Sequence, residues 1–246
     1  MPEVSEAVAA AFIILAAATV VGTVGFGLGI TASPLLLLVF DPKTVVVFTN
    51  TVSTVIFVMI IVQDRRDIPL AKVAPLSVAG VLGAPLGVAV LTIASATALR
   101  VAIVTIILAL AAAVAMNFRG SVPRPGLVGP PLAFSTSGMI AALGIGGPIM
   151  ALFLLGQGVE RRALRVSLAV YFLAMGVVAM GGYVVADLYT AERLWLLAIA
   201  AVPAVVGFRL ASVVLRRMNE VVFRRGVIGV TVVSSLMVLG REILSV

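Results

Sequence analysis

The chain has 246 residues, of which 62% are hydrophobic and 11% are charged, and its mean hydropathy is +1.27. Soluble domains are about 45–50% apolar and about 25% charged, so this composition excludes an ordinary water-soluble domain. It predicts a single integral membrane domain over residues 1–246.

The net charge of +7 does not indicate a nucleic-acid partner, because a membrane protein is expected to have basic loops that fix its orientation. The chain contains neither Cys nor His. Their absence removes disulfides, the commonest metal ligands and the usual general base. We therefore expect a protein that is not an enzyme and needs no cofactor or metal.

Uncharged stretches separate the charged residues along the chain. Four stretches, a short linker at 118–125 and four further hydrophobic segments predict an all-helical protein with about eight transmembrane helices, since about 20 apolar residues cross a bilayer. The stretches are 7–40, 44–63, 73–99, 101–118, 125–159, 166–186, 194–215 and 221–240.

The lengths of the stretches repeat, with 34 and then 20 residues opening the first half and 35 and then 21 opening the second. This order predicts a duplicated four-helix unit, with repeat 1 at about 7–117 and repeat 2 at about 126–241. The turn at 41–43 resembles 159–161, at an offset of 118. Internal repeats are common in secondary transporters, and four spans in each unit predict parallel repeats.

The first stretch of each half is too long for one straight span. A helix of 34 residues would measure about 50 Å, whereas the hydrocarbon core measures about 30 Å. Glycines and a proline interrupt both stretches, as GTVGFGLGITASP at 22–34 and SGMIAALGIGGP at 137–148. Irregular backbone at membrane depth must be covered by protein or line a water-filled cavity. Each half is therefore predicted to have a broken or re-entrant first helix.

No Asp or Glu lies deep inside the uncharged stretches, which favours an anion over a cation as the solute. The N-terminus of a broken helix offers unpaired N–H groups and about half a positive charge. The predicted substrate-binding residues belong to the breaks and to the helix after each: Gly27, Gly29, Thr31, Ser33, Thr49, Asn50, Ser53, Gly146, Gly147, Ser167 and Tyr171.

Each candidate also has a purely structural interpretation. Ser and Thr hydroxyls in membrane helices commonly bond to local backbone or to a neighbouring helix, and glycines allow close packing. Asn50 is the side chain most costly to bury without a partner. Arg209 either extends to the membrane interface or faces the cavity as a counter-charge.

A glycine-rich break, an apolar run, a Pro-Lys-like turn and a Thr- or Ser-bearing helix follow one another twice. The copies are GFGLGITASPLLLLVFDPKTVVVFTN and ALGIGGPIMALFLLGQGVERRALRVS. This pattern, from about residue 10 to 240, resembles the TauE/SafE family of sulfite and organosulfur-anion exporters. The resemblance implies a bacterial inner-membrane permease for small anions such as sulfite, sulfoacetate or related sulfonates, and sometimes other organic acids.

These expectations combine into a secondary transporter that moves a small anion by alternating access, with Asn50, Thr49 and Ser167 donating hydrogen bonds to it. A passive anion channel, a carrier of small organic carboxylates and a scaffold subunit are the alternatives. The sequence leaves open the direction of transport, coupling to protons or sodium, and formation of a homodimer. With eight spans, ten basic residues lie on one side of the membrane and seven on the other. The positive-inside rule places the side with ten in the cytoplasm and therefore both termini outside.

Overall fold

The computed structural model describes residues 4–65, 68–115 and 124–217, together with Ser235 and Val238. All regular structure in these ranges is helical, as predicted. The helices are α1 (Val4–Val24), α2 (Leu28–Leu36), α3 (Pro42–Asp64), α4 (Leu70–Ile93), α5 (Ala96–Ala115), α6 (Pro125–Leu143), α7 (Gly147–Gly156), α8 (Arg161–Val185) and α9 (Ala191–Arg217).

Six helices within the described ranges are long and apolar enough to cross a membrane, namely α1, α3, α4, α6, α8 and α9. The protein is therefore a multi-pass helical membrane protein. The apolar part of α5 is shorter, at Ala96–Ala112, and α7 has 10 residues. The last expected span, 221–240, lies outside the described residues except for Ser235 and Val238.

A three-residue break divides each overlong stretch, at 25–27 between α1 and α2 and at 144–146 between α6 and α7. Gly25 and Gly144 follow the long helices with φ angles of 86° and 74°, a left-handed conformation that glycine adopts without steric penalty. The amide of each donates to the carbonyl oxygen four residues earlier, at 2.7 and 2.8 Å. Glycines thus end the long helices, as the sequence indicates.

Each short helix is followed by a long helix with an acidic residue at its N-cap. Asp41 precedes α3 and accepts a hydrogen bond from the Thr44 amide at 3.0 Å. Glu160 precedes α8 without such a bond. Asp41 follows Gly25, and Glu160 follows Gly144, by the same number of residues, so these positions are offset by 119 rather than 118.

The long helices α3 and α8 run antiparallel. Asp64 at the end of α3 pairs with Arg165 near the start of α8, and Asn50 in α3 bonds to Tyr183 near the end of α8. Arg165 also packs against Gly25, so α1 and α3 end on the same side of the molecule. The chain therefore turns back between α1 and α3, and α2 forms part of this return.

The expectation of parallel repeats is wrong for these helices. Four spans in a unit would start the second unit on the side where the first started. Because α2 and α7 each reverse the chain, α8 instead begins on the side where α3 ends. The length of the opening stretch shows that a helix must break there, but it contains no information on whether the chain continues or turns back.

Glycines set the contacts between other pairs of long helices. Gly83 of α4 lies against the carbonyl oxygen of Phe134 in α6, and Gly207 of α9 lies against that of Leu15 in α1. A side chain at either glycine would overlap backbone. Close packing of this kind stabilises helix pairs in a bilayer, where apolar burial supplies little driving force.

Candidate functional site

The two breaks meet in the interior of the protein. A side chain at Gly29, just after the first break, would overlap the carbonyl oxygen of Gly144 in the second. The Phe26 side chain lies 2.8 Å from the position that a Cβ atom of Gly147 would take. A cavity of about 40 Å³ lies beside these contacts. Because pockets for drug-sized ligands measure about 300–1,000 Å³, this conformation admits only a small solute.

Helices α3 and α8 form two walls of the cavity. The α3 residues are spaced by three, four and seven positions from Asn50, so they share one helical face. The α8 wall is apolar or small, and no lining side chain is charged. The lining consists of Phe26, Gly27, Leu28, Gly29, Asn50, Ser53, Thr54, Phe57, Ile140, Gly144, Gly147, Phe172, Met175 and Gly176.

Asn50 connects three helices at the edge of the cavity. Its Nδ2 donates to the carbonyl oxygen of Ile140 at 2.9 Å and to the hydroxyl oxygen of Tyr183 at 2.8 Å. The Tyr183 hydroxyl donates to the carbonyl oxygen of Ala141 at 2.6 Å. Because both amide hydrogens are used, Asn50 holds the end of α6 against α8 and reaches a solute with Nδ2 only when one of these bonds opens.

The N-termini of α2 and α7 lie at the cavity. Gly27 and Gly146 precede these helices, and neither helix has a side-chain cap. The first N–H groups of a helix have no partner within it, and the helix dipole places about half a positive charge there. Pro148, the second residue of α7, has no N–H, so α2 offers the fuller set of donors. Such an arrangement suits an anion.

Arg193 forms a polar cluster at the end of α3 opposite Asp64. Its Nε donates to Thr44 Oγ1 at 2.8 Å, and its Nη1 donates to the carbonyl oxygen of Leu188 at 2.6 Å. Its Nη2 lies 3.6 Å from Asp41 Oδ1. The buried guanidinium thus connects the start of α9 to the start of α3.

We expect Arg193→Gln to lower the melting temperature in detergent by several degrees. Thr44 and the Leu188 carbonyl would lose their charged donor, and a buried polar group left unpaired costs about 1–3 kcal/mol. Glu192→Gln, at an exposed neighbour on the same helix, is the control. Equal melting temperatures for the two variants would contradict a structural role for Arg193.

Tyr189 adds a neutral contact at the same end, in the loop between α8 and α9. Its hydroxyl lies 2.8 Å from Thr51 Oγ1. Burial raises the pKa of the Tyr189 phenol above its ordinary value, although the bond to Thr51 offsets part of this effect. The phenol therefore stays protonated at physiological pH.

The comparisons with known proteins bear on nearly the whole chain. A family model described as "Sulfite exporter TauE/SafE" matches residues 10–238. The chain belongs to the TauE/SafE family. No curated protein and no solved structure gives a match. Proteins of the TauE/SafE family are membrane transporters, and their described activity is export of the small anion sulfite.

Five residues predicted to bind substrate line the cavity of this TauE/SafE protein, namely Gly27, Gly29, Asn50, Ser53 and Gly147. The other six, Thr31, Ser33, Thr49, Gly146, Ser167 and Tyr171, are not part of the lining. Arg209 is exposed on α9 and does not line the cavity either.

The side chains outside the lining have other partners or positions. Thr49 donates to the carbonyl oxygen of Val45 at 2.7 Å, and Ser167 donates to that of Ala163 at 2.6 Å. The Tyr171 hydroxyl donates to the carbonyl oxygen of Ala133 at 2.6 Å. Thr31 and Ser33 are buried in α2, and Gly146 ends the second break with a φ angle of 158°.

Several lining residues were not predicted from the sequence. Thr54 and Phe57 continue the helical spacing of Asn50 and Ser53, so the sequence contained a signal for them. The α8 lining residues Phe172, Met175 and Gly176 carried no such signal, because none of them is polar. The predicted pair, Ser167 and Tyr171, does not line the cavity. Tyr171 precedes the lining residue Met175 by one helical turn, but its hydroxyl is directed to the carbonyl oxygen of Ala133 in α6.

Proposed function

We propose that this TauE/SafE protein is a secondary transporter that moves sulfite or an organosulfonate across the bacterial inner membrane by alternating access. Family membership supports a small anionic substrate and a place in a bilayer. The observation that carries the proposal is the meeting of two broken helices at a cavity whose lining has no charged side chain. We expect the solute to cross without chemical change.

We assign the anion to the N-terminus of α2, with Gly27, Gly29, Ser53 and Asn50 around it and Gly147 opposite. Backbone N–H groups at helix N-termini bind oxyanions without needing a cationic side chain. Thr49 and Ser167 are left out of this assignment, because each keeps its hydroxyl hydrogen on a local carbonyl oxygen.

We infer that the two halves arose from one duplicated unit and are inverted with respect to each other. The matching breaks, the matching acidic N-caps and the antiparallel course of α3 and α8 support this. Inverted repeats with a central site are common in transporters. At the offset of 119, Asn50 corresponds to Ala169, so the polar wall comes from the first half alone.

The distribution of basic residues supports an orientation. Within the described ranges, nine basic residues lie towards the Asp64 end of α3 and three towards the Asp41 end. The positive-inside rule then places the Asp64 end in the cytoplasm and the N-terminus outside. The first group is Arg65, Lys72, Arg124, Arg161, Arg162, Arg165, Arg209, Arg216 and Arg217; the second is Lys43, Arg100 and Arg193.

Counterflow in proteoliposomes tests the function. Vesicles loaded with unlabelled sulfite should accumulate labelled sulfite transiently and saturably, because a carrier exchanges its solute. Passive, non-saturating equilibration would identify an anion channel instead. Competition by small carboxylates but not by sulfonates would favour the organic-acid alternative. Absence of sulfite and sulfonate movement by folded protein would refute the proposal.

A further inference from the structure

Arg165 and Asp64 form an ion pair at the cytoplasmic end of the α3–α8 pair as oriented above. Arg165 Nη1 lies 2.6 Å from Asp64 Oδ2, and Nη2 donates to Gln63 Oε1 at 3.2 Å. The two charged side chains are 16% and 10% exposed. The Nε atom of Arg165 is buried and has no hydrogen-bond partner among the described residues. The guanidinium therefore retains donor capacity that the protein does not use.

This ion pair lies in line with the cavity. Along the antiparallel helices, Gly176 contacts Thr54 at the cavity, and the rings of Phe57 and Phe172 follow, 5.2 Å apart. Asp64 lies seven residues beyond Phe57, which is about 10 Å along the helix. On this side of the cavity, an aromatic pair that belongs to its lining is thus followed along the helices by an ion pair.

Arg165 also contacts the elements that form the cavity. Its backbone packs against Gly25, the first residue of the first break, and a Cβ atom at Gly25 would lie 2.9 Å from Arg165 Cα. Its guanidinium carbon lies 5.8 Å from the centre of the Phe208 ring. A movement of the break would therefore displace Arg165 with it.

We propose that Arg165 is a second anion-binding residue, at the cytoplasmic mouth of the cavity, and that Asp64 occupies it while that mouth is closed. This inference rests on the proposed anion transport. A carboxylate and a sulfite or sulfonate group present similar oxygen pairs to the planar guanidinium fork. When the mouth opens, Asp64 separates from Arg165, the solute takes its place, and it then passes between Phe57 and Phe172.

Arg193, at the other end of α3, differs from Arg165 in how fully its guanidinium is bonded. All three guanidinium nitrogen atoms of Arg193 face protein oxygens, on Thr44, Leu188 and Asp41. Replacing one carboxylate there would leave the other contacts in place. Arg165 instead holds one carboxylate, one amide oxygen and an unused donor, which is the arrangement expected where a solute must exchange with a side chain.

A simpler role would be a clamp that only fastens α3 to α8. A clamp needs one positive and one negative side chain, but either helix can carry either charge. An anion-binding arginine, in contrast, must remain an arginine at its position on α8. Exchange of the two charges, Asp64→Arg with Arg165→Asp, therefore separates the two roles.

Labelled sulfite transport by the full chain in proteoliposomes tests the inference, with melting temperature in detergent as a check of folding. We expect Asp64→Asn to lower the half-saturating sulfite concentration at least threefold, because the competing carboxylate is gone. Arg165→Gln should raise it at least tenfold. Asp41→Asn, which alters the ion pair at the opposite end and keeps a good N-cap residue, should leave it within twofold.

The charge-exchanged protein should melt near the wild-type temperature and transport less than a tenth as fast. Transport above half the wild-type rate would identify a clamp and overturn the inference, as would an unchanged half-saturating concentration in Asp64→Asn. If Arg165→Gln does not fold, the half-saturating sulfite concentration of Asp64→Asn alone decides whether the inference stands. If the wild-type protein moves neither sulfite nor a sulfonate, the proposed function itself is refuted. If the wild-type protein transports and the variants transport as it does, only the role of Arg165 is refuted.

Discussion

Gly29→Ala is expected to abolish transport and to lower the melting temperature markedly. The added Cβ atom would overlap the carbonyl oxygen of Gly144, and backbone cannot give way as a flexible side chain can. Overpacking of a well-packed interior costs about 1–3 kcal/mol, and here it would also separate the two breaks that form the cavity. Counterflow of labelled sulfite and thermal melting in detergent measure the two effects.

Gly181→Ala is the matched control for this substitution. Gly181 lies in α8, and a Cβ atom there would meet nothing within 4 Å. Alanine stabilises a helix by up to about 1 kcal/mol relative to glycine, so this variant should melt no lower than wild type and transport normally. If Gly29→Ala behaved like Gly181→Ala, the close meeting of the breaks would not be needed for transport.

Asn50→Asp is expected to reduce transport at least tenfold while changing the side-chain shape very little. A carboxylate oxygen would replace Nδ2 and face the carbonyl oxygen of Ile140, which now accepts a bond at 2.9 Å. The same substitution would place a negative charge on the cavity wall, where it would repel an anionic solute. Transport rates over a range of sulfite concentrations separate weaker binding from slower movement.

Tyr183→Phe distinguishes a role of Asn50 in solute binding from a role in holding α6. It removes one partner of Asn50 and leaves the Ala141 carbonyl without its donor, but adds no group to the cavity. We expect a lower melting temperature with at least half of the transport rate retained. Parallel loss of transport in Tyr183→Phe and Asn50→Asp would show that Asn50 acts only through the position of α6.

The breaks could be predicted from sequence because their cause is local. A stretch of 34 uncharged residues exceeds one span, and Gly25, Gly144 and their neighbours supply the conformations that end a helix. The wall formed by α3 was half predictable for the same reason, since Asn50 and Ser53 are polar in an apolar helix and their spacing defines a face.

The remaining features depend on contacts between distant parts of the chain. Arg165 reaches Asp64 across 101 positions, and Arg193 reaches Thr44 across 149, so neither partner is visible in the local pattern. Both arginines were counted only among the loop charges that orient the protein. The direction of α8 relative to α3 was likewise missed, because hydropathy does not distinguish a return helix from a continuing one.

The cavity walls differ chemically, and this difference bears on selectivity. Polar atoms come from α3 and from the start of α2, whereas α8 presents Phe172, Met175 and Gly176. We expect an amphipathic solute, with an oxidised sulfur head on one side and a short hydrocarbon arm on the other, to match both surfaces at once. A fully hydrated, symmetric oxyanion would lose water on the α8 side, where no polar side chain replaces the hydrogen bonds to that water.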